Sequence, residues 1–174
     1  MAFIELELLY EHTAELVETR LSSNQVLAAS DIGALGYYTG ARILDMLGLV
    51  SPEASQYYPA PPSMYVINYA IPPDLVRDLK PDMVVMLEVY GRNGLLLDPA
   101  FQQSYQLVDA LPTDLYGSRG LLIFVRNESG MEVEHLIPRG KHIRVTKGQR
   151  VKAGEALVDG PKTPHDILKI SGEE

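Results

Sequence analysis

Hydrophobic residues recur near the start of the chain at helical spacing: Ile4, Leu8 and Leu9, then Leu16 and Val17, with Glu and Thr on the opposite face as far as Leu21. A stripe with that repeat predicts one amphipathic helix. Ser22-Ser23-Asn24 interrupts it, and residues 25–29 (QVLAA) then have the length and apolarity of a buried strand. An acidic turn follows. Residues 42–45 (RILD) read as a second short strand, and Ser51-Pro52-Glu53 supplies an N-cap, a first-turn proline and a first-turn acid for a new helix.

Beyond a proline-rich loop at 58–62, residues 64–69 fit either a strand or more loop. Pro72-Pro73-Asp74 opens a short helix over 75–79, which Lys80-Pro81 stops because proline disfavours helical geometry in the residue before it. The clearest buried strand is 83–90 (MVVMLEVY), and Asp98-Pro99 starts another helix towards Gln103. Residues 105–111 and 120–126 close the region as strands. Helices alternating with apolar strands predict an α/β fold, a small mostly parallel sheet with flanking helices.

The pattern changes after residue 127. Alternation at 143–145, a turn at Thr146–Gln149, and the repeat V-x-x-G-x-x-V-x-x-G-x-x-L from Val145 to Leu157 predict a small all-β, barrel-sandwich-like module. It ends in a short helix, with Thr163 as N-cap, Pro164 at the first helical position and Asp166 at the third. His165 and Asp166 are adjacent, but neighbours one apart on a helix do not share a face, and no serine or cysteine nucleophile stands nearby. The pair is therefore expected to be structural. Lipoyl and biotinyl carriers use similar barrels, yet their E-x-x-K and M-K-M lysine motifs are absent.

Composition marks the same boundary. Of the 174 residues, 1–127 hold 7 Lys and Arg against 15 Asp and Glu, whereas 128–174 hold 8 against 8, and all ten tyrosines precede residue 117. Two domains follow, 1–127 and 128–174, with a junction near 126–130 of the kind left by a fusion of unrelated genes or by a chimeric assembly. A net charge of −8 argues against autonomous nucleic-acid binding. With no cysteine, and histidines scattered at 12, 135, 142 and 165, no metal site or cofactor is expected. No apolar run approaches the roughly 20 residues of a membrane span, and the glutamates of the N-terminus do not suit a signal peptide, which predicts a cytoplasmic product.

Asp31-Ile-Gly33-Ala-Leu-Gly36 follows a predicted strand and approximates G-x-G-x-x-G, with aspartate in place of the first glycine. It is expected to lead through a tight glycine loop into the next strand rather than to open a nucleotide-binding helix. Asp31, Tyr37, Tyr38 and Asp45 are the polar groups expected near carboxyl strand ends, where open α/β sheets bind ligands. They are the candidate ligand-binding residues, and no catalytic residue is assigned.

Two resemblances add to this reading. EHTAELVETRL, NQVLAASDIGALGYYTGARILDMLGLVSPEA, KPDMVVMLEVYGR and PTDLYGSRGLLIFVR, within residues 8–127, resemble the soluble C-terminal domain of bacterial protein-mannosyltransferase-like GT-C membrane glycosyltransferases. That resemblance implies an extracytoplasmic, non-catalytic appendage whose catalytic acids belong to a membrane part not found here. VKAGEALVDGPKTPHDILKI, within 132–174, is similar to a stretch near the C-terminal end of the bacterial RNA polymerase beta-prime subunit. It implies transcription-related ancestry and polymerase subunits as partners. The NADFDGD magnesium loop of that subunit does not occur in the sequence, so no polymerisation is expected. Together the two suggest a non-catalytic domain joined to a polymerase-derived segment. The alternatives are a fragment or paralogue of beta-prime, and a small sugar-ligand-binding module using the Asp31–Tyr38 loop.

Overall fold

The computed structural model describes residues 2–22, 24–127 and 144. The chain divides into two compact units, Met1–Glu132 and Val133–Glu174. The β module expected over 128–174, its helix cap at Thr163, Pro164 and Asp166, and the His165–Asp166 pair lie outside the described residues.

The first unit is an α/β layer built on one five-stranded sheet, in the order β2-β1-β3-β5-β4. Its strands are β1 (Val26–Ala29), β2 (Arg42–Asp45), β3 (Met83–Leu87), β4 (Tyr105–Leu111) and β5 (Leu121–Arg126). The helices are α1 (Ala2–Glu18), α2 (Gly33–Thr39), α3 (Pro52–Ser55), α4 (Pro73–Leu79), α5 (Glu88–Gly91) and α6 (Pro99–Ser104). β1 pairs in parallel with both β2 and β3, whereas β5 runs antiparallel to β3 and β4. The α/β expectation holds, but the parallel character is confined to the β2-β1-β3 half. Parallel neighbours need a crossover, as α2 provides between β1 and β2, whereas β5 follows β4 without an α-helix and pairs antiparallel between β4 and β3.

β3 lies at the centre of the sheet and all five of its residues are buried, as its unbroken apolar run predicts. It ends three residues earlier than expected. The Glu88 amide donates to the Gly120 carbonyl at 2.8 Å, and the chain then turns into α5. The Glu88 carboxylate is buried there, accepting from Arg92 Nε at 2.8 Å, from Arg92 Nη2 at 2.6 Å and from the Arg119 amide at 3.1 Å. Asp82 fastens the other end of the strand. It accepts from the Val26 amide at 2.9 Å and from Arg126 Nη2 at 2.6 Å, tying β1, β3 and β5 together.

α1 forms as predicted, and its predicted stripe is buried in part: Val17 enters the core and Leu9 and Leu16 pack against it, whereas Ile4 and Leu8 are exposed. Tyr10, Thr13 and Ala14 join Val17 in the core, an i, i+3, i+4, i+7 set. Thr13 and Ala14 are small, which suits a close approach of α1 to α2, and the Thr13 hydroxyl is satisfied by the Leu9 carbonyl at 2.7 Å. Asp98 caps α6 as predicted, accepting from the Phe101 amide at 2.8 Å. Ser51 precedes α3 as predicted but does not cap it with its hydroxyl, which accepts from the Asp45 amide at 2.9 Å instead. Residues 64–69 resolve as loop, with a single bridge between Val66 and Tyr69.

Candidate functional site

β1 ends at Ala29, and Ser30, Asp31 and Ile32 carry the chain directly into α2. The glycine-containing stretch therefore does open a helix, contrary to the expectation of a loop leading to a strand. Gly33 and Gly36 also keep ordinary backbone angles; the positive φ belongs to Gly40, which ends α2. Gly36 faces β2, where a Cβ would meet Ile43 Cγ1 at 3.4 Å, an ordinary contact that does not itself require glycine. Phosphate remains a poor fit, because the first-glycine position holds the carboxylate of Asp31.

That carboxylate is fixed from two sides. Its Oδ2 accepts from the hydroxyl of Tyr10, on α1, at 2.7 Å, and from the Ser30 hydroxyl at 3.4 Å. Burial raises the Asp31 carboxyl above the ordinary aspartate range; the two hydrogen bonds oppose the shift, and the nearby charges of Asp45 and Glu7 reinforce it. Tyr10 is raised well above the usual phenol value, first by burial and then by the Asp31 charge. The buried phenol and the carboxylate act as one polar pair.

A cavity of about 470 Å³ opens beside this pair, at the carboxyl ends of β1 and β2. α1 contributes Leu6, Glu7 and Tyr10, and the turn after β1 contributes Ser30, Asp31 and Gly33. The loop after β2 adds Leu47 and Leu49, and the segment before α4 closes the cavity with Tyr58, Tyr65, Asn68 and Tyr69. Among the described residues, no lysine, arginine or histidine lines it. The Tyr58 hydroxyl is engaged by the carbonyls of Met46 and Ala70, at 2.6 and 2.9 Å, and burial pushes its pKa up. Among the described residues, no group of three or more His, Cys, Asp or Glu is placed to hold a metal ion.

Asp31 and Asp45 both reach this cavity, but in different states. Asp45 is 1% exposed, and its carboxylate accepts from the amides of Leu47, Leu49 and Val50 at 2.9, 2.6 and 3.0 Å. It holds the loop after β2 and has little left for a ligand. Tyr37 and Tyr38 lie on α2 outside the cavity, 82% and 46% exposed, with their rings edge to face at 5.1 Å. Glu11 beside Tyr38 raises that hydroxyl. The residues that sequence reasoning missed are Tyr10, Tyr65, Asn68 and Tyr69. Only Tyr10 left a signal, since a phenol in register with Ala14 and Val17 must bring its hydroxyl a partner on entering the core.

Comparison with known proteins gives two kinds of match. The chain is 64% identical over 52 residues to the DNA-directed RNA polymerase subunit beta' of Rhodopirellula baltica, and 54% identical over 50 residues to that of Bdellovibrio bacteriovorus. With the beta' subunit of Koribacter versatilis it shares 50% over 52 residues. Each match takes in about 30% of this chain, and the chain spans about 4% of the length of these relatives. No solved structure matches. These findings support the polymerase part of the expectation and lend none to the glycosyltransferase part. Residues 3–133 match the model of a family described as Domain of unknown function (DUF8728), and this protein belongs to that family.

Proposed function

We propose that the protein is a non-catalytic, polymerase-associated module: an α/β domain joined to a beta-prime-like segment that addresses it to RNA polymerase. The observation that carries this reading is the 64% identity to a beta-prime subunit over 52 residues. The docking element is the segment read from the sequence as beta-prime-like, about 132–174, which is shorter than the 52 residues matched, and the work of the protein is then in the cytoplasm. The α/β domain is attached cargo.

The geometry of the α/β domain favours binding over chemistry. Among the described residues its cavity has no histidine or lysine, and the hydroxyl of Ser30 faces a carboxylate with no described imidazole beside it. No helix among the described residues is long and apolar enough to cross a membrane. A glycosyltransferase appendage would require a membrane partner supplied from elsewhere, and the polymerase reading requires none.

Passing purified bacterial core polymerase over the immobilised full chain at low salt tests the proposal. Retention that free full chain competes away is the expected result. Absence of retention at low salt would overturn it.

A further inference from the structure

Apart from polymerase docking, the cavity at Asp31 has a charge imbalance that its own residues leave uncorrected. Among the described residues, Glu7, Asp31 and Asp45 line it and no cationic side chain does. Asp45 is neutralised in effect by three loop amides, but Oδ1 of Asp31 and the carboxylate of Glu7 take no hydrogen bond or ion pair from the described residues. Asp31, half-buried and facing Asp45 and the exposed Glu7, is held towards its protonated form, and a cation entering beside it would relieve that repulsion. The same charges disfavour phosphates, sulfates and nucleotides as occupants.

Two cationic classes remain, and the structure separates them. A hard metal ion needs several oxygen ligands converging at short range, and the described residues bring no three acidic or histidine ligands together. The remaining wall is aromatic: Tyr10, Tyr58, Tyr65 and Tyr69 border the same space. Tyrosine faces attract diffuse organic cations, most of all where water is partly excluded. A volume of about 470 Å³ is in the range of small-molecule sites. Neutral sugars could bond the phenols, yet they would leave the charges of Asp31 and Glu7 unanswered.

We propose that this cavity binds a small organic ammonium cation, with Asp31 and Glu7 supplying the charge and Tyr69 and its neighbours the aromatic wall. The groups facing Asp31 are Glu7 and Tyr10 from α1, Asp45 from β2 and Tyr90 from α5, and all are acidic or phenolic. Binding therefore strengthens as pH rises and Asp31 ionises. The proposal is independent of polymerase docking, which Asp31→Asn should leave intact.

Titrating the full chain with tetramethylammonium and choline chlorides, against sodium chloride at equal ionic strength, tests the idea by calorimetry and thermal shift. Glucose and inorganic phosphate form the comparison arms. Saturable binding of both ammonium ions, increasing with pH, is expected; Asp31→Asn should weaken it about tenfold or more. Tyr69→Leu, at a residue 44% exposed and so compatible with folding, should weaken it several-fold. It carries the test together with the pH profile if the aspartate variant does not fold. No saturable binding beyond sodium chloride, unchanged affinity in these variants, or preference for glucose or phosphate would each overturn the proposal.

Discussion

At the scale of single residues, two carboxylates with opposite pKa shifts give the protein opposite responses to pH. Burial raises Asp31, so the folded chain holds that proton more tightly than the unfolded chain does. Its contribution to stability is then greatest below the ordinary aspartate pKa and falls as pH rises through the raised folded value. Urea midpoints measured across mildly acidic pH should show this slope in the parent protein and its loss in Asp31→Asn; an identical slope in both would contradict the assignment. Glu88 behaves in the reverse sense. The hydrogen bonds from Arg92 hold its carboxyl below the usual glutamate range despite burial. The stability it provides is present above the ordinary glutamate pKa and is lost as pH falls through the depressed value. Glu88→Gln should cost about 2 kcal/mol at neutral pH, because Arg92 and the Arg119 amide lose a charged acceptor. Chemical denaturation of the variant checks this, and a loss below about 0.5 kcal/mol would mean that solvent replaces the network.

At the scale of elements, the local chemistry of helix starts was legible and the choice of buried face was not. Asp98-Pro99 could be read as a cap because the carboxylate and the Phe101 amide it bonds are three residues apart. Asp98→Ala should accordingly lower stability by about 1 kcal/mol in thermal unfolding; no change would mean α6 is held by packing alone. For α1, the predicted stripe and the buried face overlap at Val17, with Leu9 and Leu16 at the margin, and contact with α2 and the sheet sets the centre of the buried face. That is how Tyr10, Thr13, Ala14 and Val17 come to be buried while Ile4 and Leu8 face outward. The end of β3 was equally hidden, since the apolar run continues through Val89 and Tyr90 and the turn is set by Gly120, far along the chain. The site shows the same division. Asp31 and Asp45 were visible at strand ends, but Tyr58, Tyr65 and Tyr69 join them from a loop whose path no local pattern specifies.

At the scale of the whole molecule, charge and tyrosine content changed near residue 128, while the structural division falls after Glu132 and the family match ends at 133. The family match covers residues 3–133 and the beta-prime matches cover about 30% of the chain, and the central claim of the proposal is that the polymerase-like stretch supplies the address. Amide hydrogen exchange on the full chain, alone and with stoichiometric core RNA polymerase, measures this directly. The account predicts that added protection is confined to peptides from 132–174, with 3–127 unchanged. Protection gained only within 3–127, or none anywhere, would contradict it.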